Sequence, residues 1–298
     1  MNVSCIILNY NDAKTTESLV NAIRNYKCLD SIVVVDNHST DDSPAILKEL
    51  EDDKVHFLSS PKNGGYGYGN NLGIRYAYHT LHATHVLIAN PDVKVSEDCI
   101  DAMKEAFSKE DRLAVAAAVT TDGTGAVALS SWRLNGVFLD LLDTGLITRR
   151  LFGRWLNDRP EIKKNIYSSG NETKEYAYVD AVLGSLFLAD AKALMECGLY
   201  DEKVFLYYEE KILGHKLKEK GYKTALLLDQ SYVHLHSVSI KKSVESILKR
   251  QALLHESKLY YYKTYLKINR LEEVLVKLFL GILMVEIWFL TKIVGLSW

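Results

Sequence analysis

The chain has no close pair of cysteines. Cys5, Cys28, Cys99 and Cys197 stand far apart among 298 residues, with no CxxC spacing. That excludes a zinc ribbon or a disulfide scaffold and predicts reduced thiols in a cytosolic compartment. The N-terminus lacks a basic n-region and a cleavage site, and its apolar stretch is too short for a signal peptide. Internal repeats and low-complexity tracts are also missing. The one glycine-rich stretch, NGGYGYGNN, lacks dinucleotide-binding spacing. Gly65-x-Gly67-x-Gly69 is not GxGxxG, and it follows the third strand-like run rather than the first. A dehydrogenase is therefore opposed. A nucleotidyltransferase is opposed too, since no glycine-rich signature follows the first strand.

Hydrophobic residues make up 48% of the chain and charged residues 25%, the balance of a folded protein with a sizeable core. The net charge of −2 hides an asymmetry. Between Lys241 and Lys277 nine Lys and Arg stand against four Glu, while the body before them is acidic. A basic end on an acidic body predicts an anionic surface as its partner.

Five short apolar runs alternate with helix-like sequence: VSCIIL (3–8), SIVVV (31–35), VHFL (55–58), HVLIA (85–89) and LAVAAAV (113–119). That order predicts an α/β protein with a mainly parallel sheet covered on both faces. Ligands bind outside the carboxyl ends of strands in such sheets. Asn9 to Asn11, Asp36 to Ser39 and Asn90 to Asp92 all fall at those ends. Residues 121–178 read as irregular and basic, an insertion across the mouth of the site. YVDAVLGSLFLAD then resumes the core, a helix spans about 208–220, and Gly221 stops it.

Several groups on this rim could carry chemistry. In Asn90-Pro91-Asp92 the proline fixes its own φ and holds Asn90 extended, so a stiff turn aims an amide and a carboxylate. A hard divalent cation bound with phosphates needs only one or two carboxylates. An Asx turn without a ligand is the plainer alternative. Asn63, Asn70 and Asn71 flank the glycines and could orient a polar ligand, although the glycines serve equally well as a close helix–strand approach. Glu209 and Glu210 open a helix and point about 100° apart, so one can face the rim while the other caps or pairs. His234 and His236 share a side if their segment is extended, which suits metal or phosphate as well as ordinary surface.

Taken together, ILNYN, VVVDNHSTDDS, NGGYGYGNN, LIANPDV, VDAVLGSLFLADAKALMECGLYDEKVFLYYEE and VHLHSVS resemble glycosyltransferase family 2, within its rhamnosyltransferase-like branch. The likeness covers about residues 2–240. It implies the GT-A nucleotide-diphospho-sugar transferase fold at 1–240, with 241–298 as a C-terminal helical extension. It also implies a dTDP- or UDP-linked donor, Mg²⁺ or Mn²⁺, and inverting transfer to a saccharide hydroxyl, the acceptor being polyprenyl-linked. By position, Asp92 matches the metal-holding carboxylate and His234 the histidine that closes the metal–diphosphate site. Tyr10 matches the residue stacked on the base and Asp36 its hydrogen-bond partner, with Asn11, Asn37, Asn63, Asn71 and Asn90 beside the donor. Glu210 falls on the general base, supported by Glu209.

The chain departs from the family pattern in three places. The base is Glu rather than Asp, Ile212 replaces a second acid, and Ala189-Asp190-Ala191 stands where an Arg pair is common. All three bear on acceptor geometry. A UDP-hexose or UDP-galactofuranose transferase of the same fold, or a catalytically silent subunit, is the alternative.

The last stretch, 274–298, is apolar nearly all round and broken by Glu286 and Lys292. Because a charge within a span is costly, an in-plane helix is expected rather than a spanning one. Tyr260, Tyr261, Tyr262 and Tyr265 among lysines fit a membrane interface. The expected place is the inner face of the cell membrane, peripherally, with burial in a homodimer as the rival and no nucleic acid as partner.

Overall fold

The computed structural model describes residues 1–156, 164–169, 172–235 and 247–293. The strands are β1 (Val3–Asn9), β2 (Ser31–Asp36), β3 (Val55–Ser59), β4 (His85–Ala89), β5 (Val93–Lys94), β6 (Leu113–Thr121), β7 (Ser131–Trp132), β8 (Lys164–Ser169), β9 (Glu172–Val179), β10 (Ala181–Val182), β11 (Leu186–Asp190) and β12 (Lys223–His234). The helices are α1 (Ala13–Ile23), α2 (Ser43–Lys48), α3 (Tyr66–His79), α4 (Glu97–Lys109), α5 (Val137–Leu142), α6 (Leu146–Leu156), α7 (Ala191–Glu196), α8 (Glu209–Glu219), α9 (Ile247–Thr264) and α10 (Arg270–Lys292). They form two compact units. One comprises 1–133, 163–205 and 209–243, and the other 134–162, 206–208 and 244–298.

The first unit is built on a mixed sheet in the order β3-β2-β1-β4-β11-β6-β12-β9-β8, with β5 added beside β12. Its leading part, β3 to β4, is wholly parallel, as the alternating runs predict. β11 then enters antiparallel between β4 and β6. Side chains alternate across the strands, so each strand feeds two cores. Cys5 and Ile7 of β1 join Leu19, Val20, Leu47, Ile100 and Met103 on one face, beneath α1, α2 and α4. Ile6 faces the other way and joins Ile74, Leu194 and Leu213, beneath α3, α7 and α8. Tyr66, Gly67 and Gly69 open α3 close against the sheet. A methyl group on Gly69 would meet Leu8 Cδ1 at 2.3 Å. Both strand faces being covered, the strands read as continuous apolar runs. All four cysteines are free and buried. Burial pushes the Cys28 and Cys99 thiols up to about 12, so neither is reactive at neutral pH.

The stretch 121–178, which reads as irregular in sequence, carries β7, α5, α6, β8 and β9. β9 pairs antiparallel with β12 and so extends the sheet. Alternation is weak in KNIYSS and ETKEYAYV, which hides these strands. Arg159 and Lys163 of that basic stretch lie outside the described residues.

In the second unit α10 begins at a reciprocal cap. The Asn269 side chain accepts from Leu271 N at 2.9 Å and Glu272 N at 3.0 Å, while Asn269 N donates to Glu272 Oε2 at 2.7 Å. Val276, Leu280, Leu283 and Ile287 are buried at spacings of four and three. The opposite stripe, Leu271, Leu275, Leu278, Ile282, Val285 and Phe289, is exposed. Tyr261 and Tyr262 depart from the expectation of an interfacial aromatic belt, because both are fully buried. Lys258 is buried too and cannot meet an anionic surface. Its Nζ lies 3.3 Å from Asp140 Oδ2, and Asp140 also accepts the Tyr208 hydroxyl and, at 2.7 Å, the Tyr262 hydroxyl. A lysine on the inward face of α9 has to be neutralised, and this aspartate does it. Lys241 and Lys242, the start of the basic segment, lie outside the described residues.

Candidate functional site

Register brings the polar strand ends together. In the parallel pairing Asn9 lies beside Asp36, and Ile7 lies beside Ala89, the residue before Asn90. Three strands therefore deliver their ends to one rim. At the β1 and β2 ends the groups tie one another. Asn9 Nδ2 donates to Asp36 Oδ1 at 2.8 Å, and Ser39 N donates to Asp36 Oδ2 at 2.9 Å. Asp36 is fully buried, so its first role is to shape this corner. Asn11 takes a positive φ of 52° and His38 one of 62°, conformations that Asn and His tolerate better than most residues. Asn11 Oδ1 accepts from Thr40 N at 2.8 Å, which joins the two loops. Tyr10, half-buried, projects from the same loop.

The asparagines near the glycine loop divide into two groups. Asn37 Nδ2 donates to Asn63 Oδ1 at 3.0 Å and to Gly65 O at 3.2 Å. Its own Oδ1 is buried without a hydrogen-bond partner among the described residues, an acceptor that a ligand could satisfy. Asn71 is placed differently. It is fully buried on α3, donates to Tyr200 O at 3.0 Å and Glu202 Oε1 at 2.9 Å, and accepts from Tyr200 N at 2.9 Å. Its amide holds the 200–202 segment rather than facing the rim. The glycine loop is likewise occupied by protein. Gly65 has a φ of 91°, a methyl there would strike Phe205 O at 2.2 Å, and Tyr66 N donates to Phe205 O at 3.0 Å. The first helical N–H is therefore not aimed at a phosphate.

The stiffness of the Asn90-Pro91-Asp92 turn serves the pairing of the short strand β5. Val93 pairs with His234 across β5 and β12. Leu235 N donates to Asp92 O at 3.0 Å. A turn of fixed shape followed by a two-residue strand brings Asp92 Oδ1 within 3.2 Å of His234 Nε2, with both side chains about nine-tenths buried. Two residues far apart in sequence thus become one oxygen–nitrogen donor pair. His236 lies outside the described residues. Among the described residues no group of three His, Cys, Asp or Glu could hold a metal ion. The donor set fits Mg²⁺ or Mn²⁺ only if phosphate and water oxygens complete the shell, which is how such ions commonly sit on nucleotides.

Glu209 and Glu210 start α8 as expected. Burial raises the carboxyl of each above the ordinary carboxylate range. Glu209 is pushed well up, first by burial and then by the charge of Glu210. Burial also raises Glu210, while the Gly184 N–H, 3.4 Å from Oε1, and the charge of Lys211 pull it back. Departure from the ordinary range at a pair of adjacent acids is a common mark of acid–base chemistry. Ile212 is fully buried in the helix, a core position where a carboxylate would need a partner.

The element that unites the two ends of the site was not legible in sequence. It is the turn Gly184–Ser185 between β10 and β11. Gly184 N faces Glu210, and Ser185 O accepts from Asn90 N at 2.8 Å. Ser185 Oγ lies 2.7 Å from the Tyr232 hydroxyl, which also accepts from Thr120 Oγ1 at 2.9 Å. The only sequence signal was Gly-Ser interrupting an apolar run, and Tyr232 standing two residues before His234.

Comparison with known proteins bears on the family and the fold. The sequence profile of glycosyl transferase family 2 matches residues 4–159. The low-salt glycan biosynthesis hexosyltransferase Agl10 of Haloferax volcanii is 36% identical over 98 residues, 33% of this chain and 30% of that protein. The N-acetylglucosaminyl-diphospho-decaprenol L-rhamnosyltransferase of Mycobacterium tuberculosis is 25% identical over 211 residues, 68% of this chain. The chain spans 66% of that relative's length and under a third of the first. Among solved structures, the mannosyltransferase PcManGT of Pyrobaculum calidifontis, in complex with GDP-Man and Mn²⁺, superposes with a TM-score of 0.57 at 13% identity, covering 95% of this chain and 70% of that one. GalNAc-T7 with UDP, GalNAc and Mn²⁺ gives 0.58 at 15% identity, covering 99% and 57%. At such identities these likenesses establish the GT-A fold alone.

Proposed function

The chain belongs to glycosyl transferase family 2, and on that premise we propose that it is an inverting glycosyltransferase. It moves a sugar, rhamnose in preference, from a nucleotide-diphosphate donor to a hydroxyl of a growing, lipid-linked cell-surface polysaccharide. The observation that carries this reading is the Gly184–Ser185 turn. It bonds the base candidate Glu210 on one side and the Asn90–Asp92 turn on the other. A proton acceptor and a diphosphate-binding pair thereby share one support.

Residue roles follow from the chemistry. Glu210 accepts the proton of the acceptor hydroxyl as its oxygen bonds to the sugar C1 and the C1–O bond to the diphosphate breaks. Asp92 and His234 would hold the divalent cation, which when bound neutralises charge developing on the leaving diphosphate. Tyr10, Asn11 and Asp36 line the base end, and Asn37, Asn63 and Asn90 the sugar–diphosphate side. Asn71 serves by fixing the 200–202 segment. The preference for rhamnose rests on the relative whose name joins L-rhamnose transfer to a diphospho-decaprenol-linked sugar. The shorter match to a hexosyltransferase supports a UDP-hexose as second donor class.

The proposed place is the cytoplasmic face of the membrane. The support is the exposed stripe of α10 from Leu271 to Phe289. Among the described residues this is one helix long and apolar enough to cross a bilayer. Glu286 accepts from Ile147 N at 2.9 Å within the same unit, which favours a helix lying on the surface over one passing through it.

The test is release of nucleoside diphosphate from dTDP-rhamnose, UDP-glucose, UDP-galactofuranose and GDP-mannose with Mn²⁺ present. The fastest release is expected from dTDP-rhamnose. If no donor is turned over above the level of Glu210→Gln, the chain is a silent subunit and the reading fails.

A further inference from the structure

The Gly184–Ser185 turn is itself held by one side chain outside the groups assigned so far. The Tyr66 hydroxyl donates to Gly184 O at 2.5 Å. Gly184 has little spare room, since a methyl there would stand 3.0 Å from Glu210 Oε1 and 3.3 Å from the Tyr66 hydroxyl. Tyr66 is fixed in turn. Its N–H is bonded to Phe205 O, its carbonyl accepts from Asn70 Nδ2 at 3.0 Å, and its ring meets Tyr200 edge-on at 5.8 Å. The glycine loop therefore grips the support of the base through this hydroxyl.

We propose that Tyr66 is a positioning residue of the transfer reaction, whose hydroxyl pins the Gly184–Ser185 turn and so sets the spacing between Glu210 and the Asn90–Asp92 turn. The inference rests on the reading of Glu210 as base and Asp92 as part of the diphosphate-binding pair. The physical argument is one of leverage. Glu210 touches the turn through a long contact of 3.4 Å, whereas the Tyr66 contact on the same residue is short and lies beside a buried ring. Without the hydroxyl, Gly184 O loses a partner in a tight place and the turn gains freedom. Misplacement of a catalytic group by about 1 Å can cost on the order of a hundredfold in rate.

The variant is Tyr66→Phe, which keeps the ring against Tyr200. Turnover of dTDP-rhamnose, or of the panel donor with the highest rate, should fall roughly tenfold to a hundredfold, with donor KM little changed. The acid limb of turnover should move to higher pH, because the Gly184 N–H favours the charged form of Glu210. The groups facing Glu210 are Glu209, Lys211, Tyr66 and Tyr200, and none but Tyr66 is altered. Amide hydrogen exchange over 181–188 should quicken while the melting temperature holds. Unchanged exchange there overturns the pinning, whatever the activity does. Quickened exchange with wild-type turnover and pH profile overturns the positioning role. A fully active Glu210→Gln, measured in parallel, would instead overturn the base assignment, leaving the exchange result to decide the pinning alone.

Discussion

Consider replacing Glu209 with Gln. Glu209 and Glu210 are adjacent on the first turn of α8 and both are raised by burial, but not equally. Glu210 receives the Gly184 N–H and feels Lys211, and both favour its charged form. Glu209 carries the added charge of Glu210, and its Oε2 is buried without a hydrogen-bond partner among the described residues. Two acids so placed lose their protons in separate steps. The first step leaves charge on Glu210, and that charge holds the proton on Glu209 to higher pH. Gln at 209 imitates the protonated acid. Turnover at neutral pH should stay within about threefold of wild type, whereas Glu210→Gln should lose roughly 10²–10⁴-fold, the usual worth of a general base. At 1.36 kcal/mol per decade that loss is about 3 to 5 kcal/mol of transition-state stabilisation.

The pH dependence gives the sharper check. A base must be ionised, so activity should appear as pH rises through the Glu210 value, which lies above the ordinary carboxylate range. Because Glu209 is still protonated on that limb, Glu209→Gln should leave it in place. Stability follows the opposite sign. A carboxyl raised in the folded state contributes stability that is present below its unfolded value and is lost as pH climbs through its folded value. Each unit of elevation corresponds to about 1.36 kcal/mol. The lowered carboxyls of Asp52, Glu110, Asp122 and Glu273 act alike in both proteins, so between acid and neutral pH the urea midpoint of Glu209→Gln should rise relative to that of the wild type. The reasoning is refuted if Glu209→Gln is the more damaging change, or if it moves the acid limb by a full unit.

What was legible in the sequence was legible for local reasons. Short β-branched runs over buried strands, the capping acids of α8 and the stiffness of Asn-Pro-Asp are encoded by neighbours along the chain. Strand order is not. The antiparallel entry of β11 between β4 and β6 depends on pairing across distant segments, and no local pattern states it. The same holds within the site. The motif order supplied Asp92 and His234 separately, but only the two-residue β5 against β12 shows why they meet. The resemblance matched Asn71 and Asn37 alike to the donor side. They part because helical phase turns Asn71 towards Tyr200 while Asn37 leaves β2 at its carboxyl end. Tyr261 and Tyr262 of α9 misled for the same reason. Lysines beside them implied exposure, yet Lys258 itself is buried against Asp140.

Further outcomes test the other assignments. With Asp92 and His234 as the two proposed donors among the described residues, Mn²⁺ followed by electron paramagnetic resonance should bind weakly alone and much more tightly with a nucleoside diphosphate. Asp92→Ala should abolish that gain, and an undiminished gain would remove Asp92 from the metal site. Lys258→Met should destabilise the second unit by about 3 kcal/mol or somewhat less, towards the lower end for a broken buried pair, because the Tyr208 and Tyr262 hydroxyls still satisfy Asp140. A urea-measured cost under about 1 kcal/mol would mean the pair is not buried as described. The last outcome concerns α10. Its two apolar stripes lie on opposite faces, and among the described residues Val276, Leu280, Leu283 and Ile287 form the buried one. The exposed stripe should bring the full chain up with anionic vesicles in flotation, and a chain ending at Asn269 should stay below. Salt should weaken that binding only in part, because the basic residues contribute about 1 kcal/mol each near an anionic surface while apolar insertion is insensitive to ionic strength. If the full chain remains with the soluble fraction at low salt and sediments as a dimer that truncation dissociates, the second stripe belongs to another copy of the chain and not to lipid.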